Sequence, residues 1–369
     1  MVDALTSADA EKPSWPTQIR SATWRYVLRR TFVEFVRDDG VDAAGSLTFF
    51  GVLAIFPAGL AIMAVIGIVG DSDDVRERLL SLLEQVAPGA VIDTADAILA
   101  NVSGTTGADI ALILSIAVAL WSSSIYVSAF GRCVNRIYGV AEGRPYWKRK
   151  PFQLGLTVLL LAAVMLMIAI VMLSGPTLRL VGGLLGFGEV ALDVWSIARW
   201  PVFALALVGV IAILYRGTGN IRLPRFRWLV LGAFVALLVM GTASLGFGFY
   251  VSNFARYNET FGTFAGVTIF LIWLFLVNVA LLLGVELNAE IERGRELQAG
   301  FPAEEAVHIP LRDTTVIERN ERASRITREH GSLLRQGEVP PPRPDSVVTR
   351  IREWLGRRAD RRVQSRPRD

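Results

Sequence analysis

Apolar residues along this chain gather into six long runs, at about Leu47–Val69, Asp109–Phe130, Phe152–Ser174, Ile197–Tyr215, Trp228–Val251 and Thr263–Val285. Each is near the roughly 20 apolar residues that a helix needs to cross a ~30 Å hydrocarbon core. That core holds no water, so backbone N–H and C=O groups must be satisfied within the segment, which selects helices. The pattern predicts an all-α, polytopic membrane protein with six transmembrane helices in residues 41–292. A segment 1–40 precedes them and a tail 293–369 follows.

Shorter amphipathic stretches flank the spans. Within Thr17–Arg37, the residues Ile19, Trp24, Val27, Leu28, Phe32 and Phe35 recur at helical spacing with arginines between them. Such a helix suits a membrane surface or the underside of the bundle, and the sequence leaves both open. Residues 75–102 are a second amphipathic region, broken at Pro88-Gly89 and too charged to span. They read as a helical cap, 71–107, over the outer mouth of the bundle. The tail from about Phe301 is arginine-rich and broken by Pro340-Pro341-Pro342-Arg343-Pro344. With so little apolar surface to bury, it is expected to be disordered, apart from one basic amphipathic turn near Val347–Leu355.

Charge sets the expected orientation. Lys12, Arg20, Arg25, Arg29, Arg30 and Arg37 precede the first run, and Arg132, Arg136, Arg144, Lys148, Arg149 and Lys150 follow the second. Arg216, Arg222, Arg225 and Arg227 follow the fourth, and the tail is rich in arginine. The alternate connectors carry few: Arg76 and Arg78 among many acids, then Arg179, then Arg256. Basic loops stay on the cytoplasmic side. Both termini are therefore expected in the cytoplasm, with 71–108, 175–196 and 252–262 outside a bacterial cytoplasmic (inner) membrane. The net charge of +4 is the sum of these retention signals, so no nucleic-acid partner is expected. Met1–Gly40 has no apolar core followed by a small-residue cleavage site, so no cleaved signal peptide is expected.

The chemistry that the chain lacks narrows the function. One cysteine, Cys133, excludes an intrachain disulfide and a cysteine-based zinc cluster. The two histidines, His308 and His330, both fall in the tail, so a zinc nuclease centre is not expected. The sequence has no Gly-x-x-x-x-Gly-Lys-Ser/Thr loop for nucleotide phosphates. Ser122, Ser123 and Ser124 have no histidine partner in the membrane domain, so no Ser–His nucleophile is expected. No catalytic residue, metal or cofactor is predicted, and the chain reads as a protein other than an enzyme.

Polar groups at membrane depth cost roughly 2.5–3.5 kcal/mol each on insertion scales and are functional candidates for that reason. Here they are Asp42, Arg199, Asn278, Glu286 and Asn288. Glu286 could instead pair with Arg132 or Arg136. Ser122–Ser124 are expected to bond to carbonyls one turn back or across to a neighbouring helix. Pro57 inside the first span predicts a kink. Ala54-x-x-x-Ala58, Gly232-x-x-x-Ala236, Ser244-x-x-x-Gly248 and Ala280-x-x-x-Gly284 put small side chains one turn apart, which suits close helix contact. Tyr126–Arg132 also resembles Tyr250–Arg256 in an oppositely directed span, a pattern that inverted repeats of transporters produce.

Several stretches together resemble the YihY/BrkB family of inner-membrane proteins. They are Ala43-Ala44-Gly45-Ser46-Leu47-Thr48-Phe49-Phe50 before Phe56-Pro57, and Leu120-Trp121-Ser122-Ser123-Ser124 before Asn135-Arg136-Ile137-Tyr138. Further along come Arg199-Trp200-Pro201, Tyr250-Val251-Ser252-Asn253-Phe254 and Gly284-Val285-Glu286-Leu287-Asn288-Ala289. Asn135 joins the candidates from within one of these stretches. The resemblance covers roughly Arg25 to Glu292 and implies six membrane helices. The family name comes from a virulence factor, and members have carried a ribonuclease BN label regarded as misapplied. The function expected is transport or export of an unidentified small or amphipathic solute, with membrane lipids as the surrounding partners. The alternative is a non-transporting envelope scaffold or regulator. A polar route between the helices favours the first, and a tightly packed apolar bundle favours the second.

Overall fold

The structure is a computed structural model that describes residues 12–69, 108–172, 189–222, 226–253 and 263–339. These residues form eight α-helices: α1 (Ser21–Arg37), α2 (Gly40–Val69), α3 (Ala108–Ile137), α4 (Tyr146–Met172), α5 (Glu189–Thr218), α6 (Phe226–Asn253), α7 (Thr263–Gln298) and α8 (Thr315–Arg335). The protein is all-helical; among the described residues the one extended pairing is an isolated bridge between Ile221 and Leu311. Among the described residues, four stretches are long and apolar enough to cross a membrane: Tyr146–Ile170, Asp193–Thr218, Phe226–Val251 and Gly266–Gln298. The helices of the first two runs, α2 and α3, are 30 residues long each. The cap 71–107 lies outside the described residues, as do residues 254–256 of the repeat pattern.

Residues that reverse the chain are placed where the backbone needs them. Asp39 turns the chain between α1 and α2 at a φ of 52°, in the left-handed region that Asp enters more readily than most residues. Gly139 and Gly300 close α3 and α7 in the same way. In both, the glycine N–H bonds three residues back (to Arg136 O and Leu297 O) and the next N–H five residues back (Val140 to Asn135 O, Phe301 to Glu296 O). This double bond is the Schellman termination, and its left-handed position favours Gly. Pro57 lies within an α2 that continues to Val69.

Helices α2, α4 and α6 run away from the end of the bundle where α1 packs, and α3, α5 and α7 return to it. The core is built from Ala44 and Leu47 of α2, Phe130 and Val134 of α3, Ala212 and Tyr215 of α5, Leu229 and Ala233 of α6, and Leu282 and Val285 of α7. Phe130 and Tyr215 stack with ring centroids 6.0 Å apart. The Gly232/Ala236 and Ala280/Gly284 spacings meet each other: a Cβ at Gly284 would lie 2.7 Å from Gly232 O and 2.8 Å from Ala236 Cβ. The outer faces stay apolar, with Trp200, Leu205, Leu245 and Phe249 exposed, as a lipid-facing surface requires.

The two readings of the Thr17–Arg37 stretch meet in α1. Val27, Thr31 and Phe35 are buried, and Val27 packs in a cluster with Trp228, Leu287 and Ile291. Leu28, Phe32 and Val36 are exposed on the other side.

The tail expected to be disordered from about Phe301 instead carries a helix over Thr315–Arg335, and the stretch before it is tied down. Helix α7 continues to Gln298. Ala303 is fully buried, and Arg222 N donates to Pro310 O while Arg312 N donates to Asn220 O. Pro310 and Arg312 are held by backbone bonds to a loop far away in sequence, a tie that low apolar content does not reveal. Residues 313–339 belong to a second unit. It contains α8, opened by Thr314 Oγ1 donating to Glu318 Oε1 (2.7 Å).

Candidate functional site

Polar side chains inside the bundle form three groups. The first is a belt across four helices. Tyr126 of α3 donates its hydroxyl to Asn278 Oδ1 of α7 (2.7 Å). Asn278 Nδ2 donates to Thr48 Oγ1 of α2 (3.2 Å) and to Leu274 O (2.9 Å). Asn278 is fully buried, so these bonds offset a desolvation that would otherwise cost a few kcal/mol. On the neighbouring faces of α3, Ser124 and Ser128 meet α4. Lys150 Nζ donates to Ser124 Oγ (2.5 Å) and stands 4.2 Å from the centre of the Trp121 ring. Ser128 Oγ donates to Gln153 Oε1 (2.7 Å). Tyr126 lies between the two serines, so both sets of contacts share one level of α3.

The second group is the acidic end of α7. Glu290 meets Arg30 (3.1 Å) and Arg293 (3.0 Å). Glu292 pairs with Lys12 (2.9 Å) and Arg295, and Glu296 pairs with Lys12 (3.0 Å). Lys12 lies outside the spans. Its burial pulls the ammonium down, but Glu292 and Glu296 outweigh that and raise it above its ordinary value. Glu286 is the exception: it is 1% exposed, and its Oε2 has no hydrogen-bond partner among the described residues. Asn288 packs against Gly232 of α6 with neither amide atom bonded.

The third group ties the loops at the same end of the bundle. Asn135 Oδ1 accepts the buried Asn220 N–H (2.7 Å), and Asn135 Nδ2 donates to Glu142 Oε2 (3.2 Å). Arg144 holds both Glu142 oxygens (2.8 Å each) and donates to Thr218 O (2.8 Å). Burial pushes the Glu142 carboxyl up, yet the Arg144 hydrogen bonds and charge outweigh it and leave the group below its ordinary range. This group is structural: every member fixes a connector.

The sequence candidates separate accordingly. Asn278 joins the belt. Ser123 and Ser124 bond to carbonyls one turn back, Ala119 O (2.8 Å) and Trp121 O (2.6 Å), and Ser122 is half-buried. Asn135 belongs to the loop knot. Asp42 is exposed in the first turn of α2. Arg199 lies over the Trp200 ring (5.3 Å). The suggested pairing of Glu286 with Arg132 or Arg136 does not form: Arg136 pairs with Asp39, and Arg132 lies over the Phe50 ring (5.4 Å). Lys150, Tyr126, Thr48 and Gln153 are not among the functional candidates that the sequence offers. Lys150 sits in a basic run counted as loop charge. Pro145, which marks the start of α4 at Tyr146, was the available sign that Lys150 lies one turn inside a helix.

A profile of the family described as Virulence factor BrkB matches residues 31–307. YfkH of Bacillus subtilis, whose name calls it ribonuclease-like, is 27% identical over 73% of this chain and 96% of its own length. A UPF0761 membrane protein of Xanthomonas axonopodis pv. citri is 26% identical over 73% of this chain. Another UPF0761 membrane protein, from Chromobacterium violaceum, is 31% identical over 66% of it. The chain spans 61% and 56% of those two longer relatives. No solved structure matches it. The matched profile takes in α2 to α7, with the whole polar belt, and the chain belongs to the virulence factor BrkB family of bacterial membrane proteins.

Proposed function

We propose that this chain crosses the bacterial cytoplasmic membrane six times, keeps both termini inside, and exports a small or amphipathic solute. The observation that carries the reading is the belt of Thr48, Tyr126, Asn278, Ser124, Lys150, Ser128 and Gln153 across α2, α7, α3 and α4. Polar side chains within a spanning bundle are costly and mark solute pathways. Glu286 lies eight residues past Asn278 on α7, roughly 12 Å along the axis at 1.5 Å per residue. Its unpaired oxygen extends the polar line toward the α1 end. The sidedness rests on the basic connectors. The reading gives the chain no catalytic role, and YfkH's ribonuclease-like name is not carried over to it.

The scaffold reading has one observation in its favour: the Asn135–Glu142–Arg144 knot ties the α3–α4 and α5–α6 connectors together, as a static platform would need. Profiling a broad solute panel for efflux from sealed vesicles separates the two. Vesicles holding the native protein should release at least one solute faster than empty vesicles, and Asn278→Ala should abolish the difference at equal abundance. Identical profiles across the panel would leave the scaffold reading.

A further inference from the structure

Lys150 is the one charged member of the belt. It is 8% exposed, and its contacts are the Ser124 hydroxyl and the face of Trp121. No carboxylate pairs with it among the described residues, and the charge that acts on it is a like one, Arg149. The buried acids stand on α7, where Glu290, Glu292 and Glu296 have Arg30, Lys12, Arg293 and Arg295 as partners and Glu286 has none, while Glu142 pairs with Arg144 in the loop knot. A buried ammonium without a counter-charge is costly, and an ammonium offers three donors. Ser124 takes one and the Trp121 ring faces the cation, so donor capacity remains for an anion.

The approach to this cation is apolar. Trp121 is 49% exposed and Val118, one turn earlier on α3, is 58% exposed, so α3 shows hydrocarbon-like surface where the ring lies. An occupant coming past Trp121 needs an apolar body and an anionic head.

We propose that Lys150, Ser124 and Trp121 form a seat for the phosphate of an anionic amphiphile drawn from the bilayer, with Lys150 as its counter-charge and Trp121 flanking it. The seat stands whether or not the chain transports anything. A free phosphate offers the same head chemistry without the apolar body, and the test separates the two sources.

The full-length protein, purified in neutral detergent, is titrated with phosphatidylglycerol, phosphatidylcholine or inorganic phosphate. Bound lipid is counted by native mass spectrometry and melting is followed in parallel. Phosphatidylglycerol should bind and raise the melting temperature, while the other two should not. Lys150→Gln should weaken phosphatidylglycerol binding about tenfold, while its lipid-free melting stays equal to or above the native value, because a buried lone charge is gone. Lys150→Arg should restore binding. Arg132→Gln, which removes an exposed cation of α3, should bind as the native protein does. Native-strength binding by Lys150→Gln, or an equal loss in Arg132→Gln, would overturn the seat. Inorganic phosphate raising the melting temperature as phosphatidylglycerol does would overturn the bilayer source. Lower lipid-free melting of Lys150→Gln would make Lys150 a packing residue instead.

Discussion

Replacing Asn135 with alanine removes the acceptor of the buried Asn220 N–H and the donor to Glu142. Leaving a buried donor unsatisfied costs about 1–3 kcal/mol, so Asn135→Ala should melt lower in detergent by an amount of that order. Transport, once assayed, should fall only with abundance. The residue stood out in the sequence, but its role did not, because its partners come from the connectors at 138–145 and 218–222, and only the packed bundle brings those together. Glu142 gives a second test at this scale. Its folded pKa lies below the ordinary 4.5, because Arg144 outweighs burial. A depressed acid contributes stability that is present above its unfolded pKa and lost as pH falls through the folded one. Melting of the native protein should therefore drop as the solution is acidified below about pH 4.5, and Glu142→Gln should show a shallower drop. Parallel curves for the two would contradict the assignment.

Helix contacts are tested where small residues meet. A side chain at Gly284 would strike Gly232 O and Ala236, while one at Gly248 meets nothing within 4 Å. Overpacking a filled contact costs about 1–3 kcal/mol. Gly284→Val should lower abundance and melting temperature by that measure, and Gly248→Val should leave both unchanged. Both glycines sit in the same small-x-x-x-small spacing, so the spacing was legible while the occupied contact was not. The helices themselves were legible because apolar length is a property of one segment read alone. Their ends were less so. Glu286, placed near the end of the sixth run, lies in the interior of an α7 that continues to Gln298. What extends it is the pairing of Glu290, Glu292 and Glu296 with Arg30 and Lys12, residues more than 250 positions earlier in the sequence.

At the scale of the molecule, what the sequence withheld is which faces of the helices meet. Asn278 could be picked out as polar at membrane depth, but nothing in Thr48 or Tyr126 marks them as its partners on α2 and α3. Lys150 read as one more cytoplasmic retention charge until α4 placed it against Trp121. The central claim is that this belt belongs to a passage that water can reach, and cysteine accessibility tests it without knowing the solute. With Cys133 replaced by alanine, single cysteines go in at Thr48, Tyr126 and Asn278, with Ala280 and Leu282 on α7 as buried apolar controls. A small, charged methanethiosulfonate reagent is then applied to the protein in its native membrane. The account predicts that the belt positions react while Ala280 and Leu282 stay silent. Silence at all three belt positions, in variants that fold and accumulate normally, would contradict it and leave a sealed bundle.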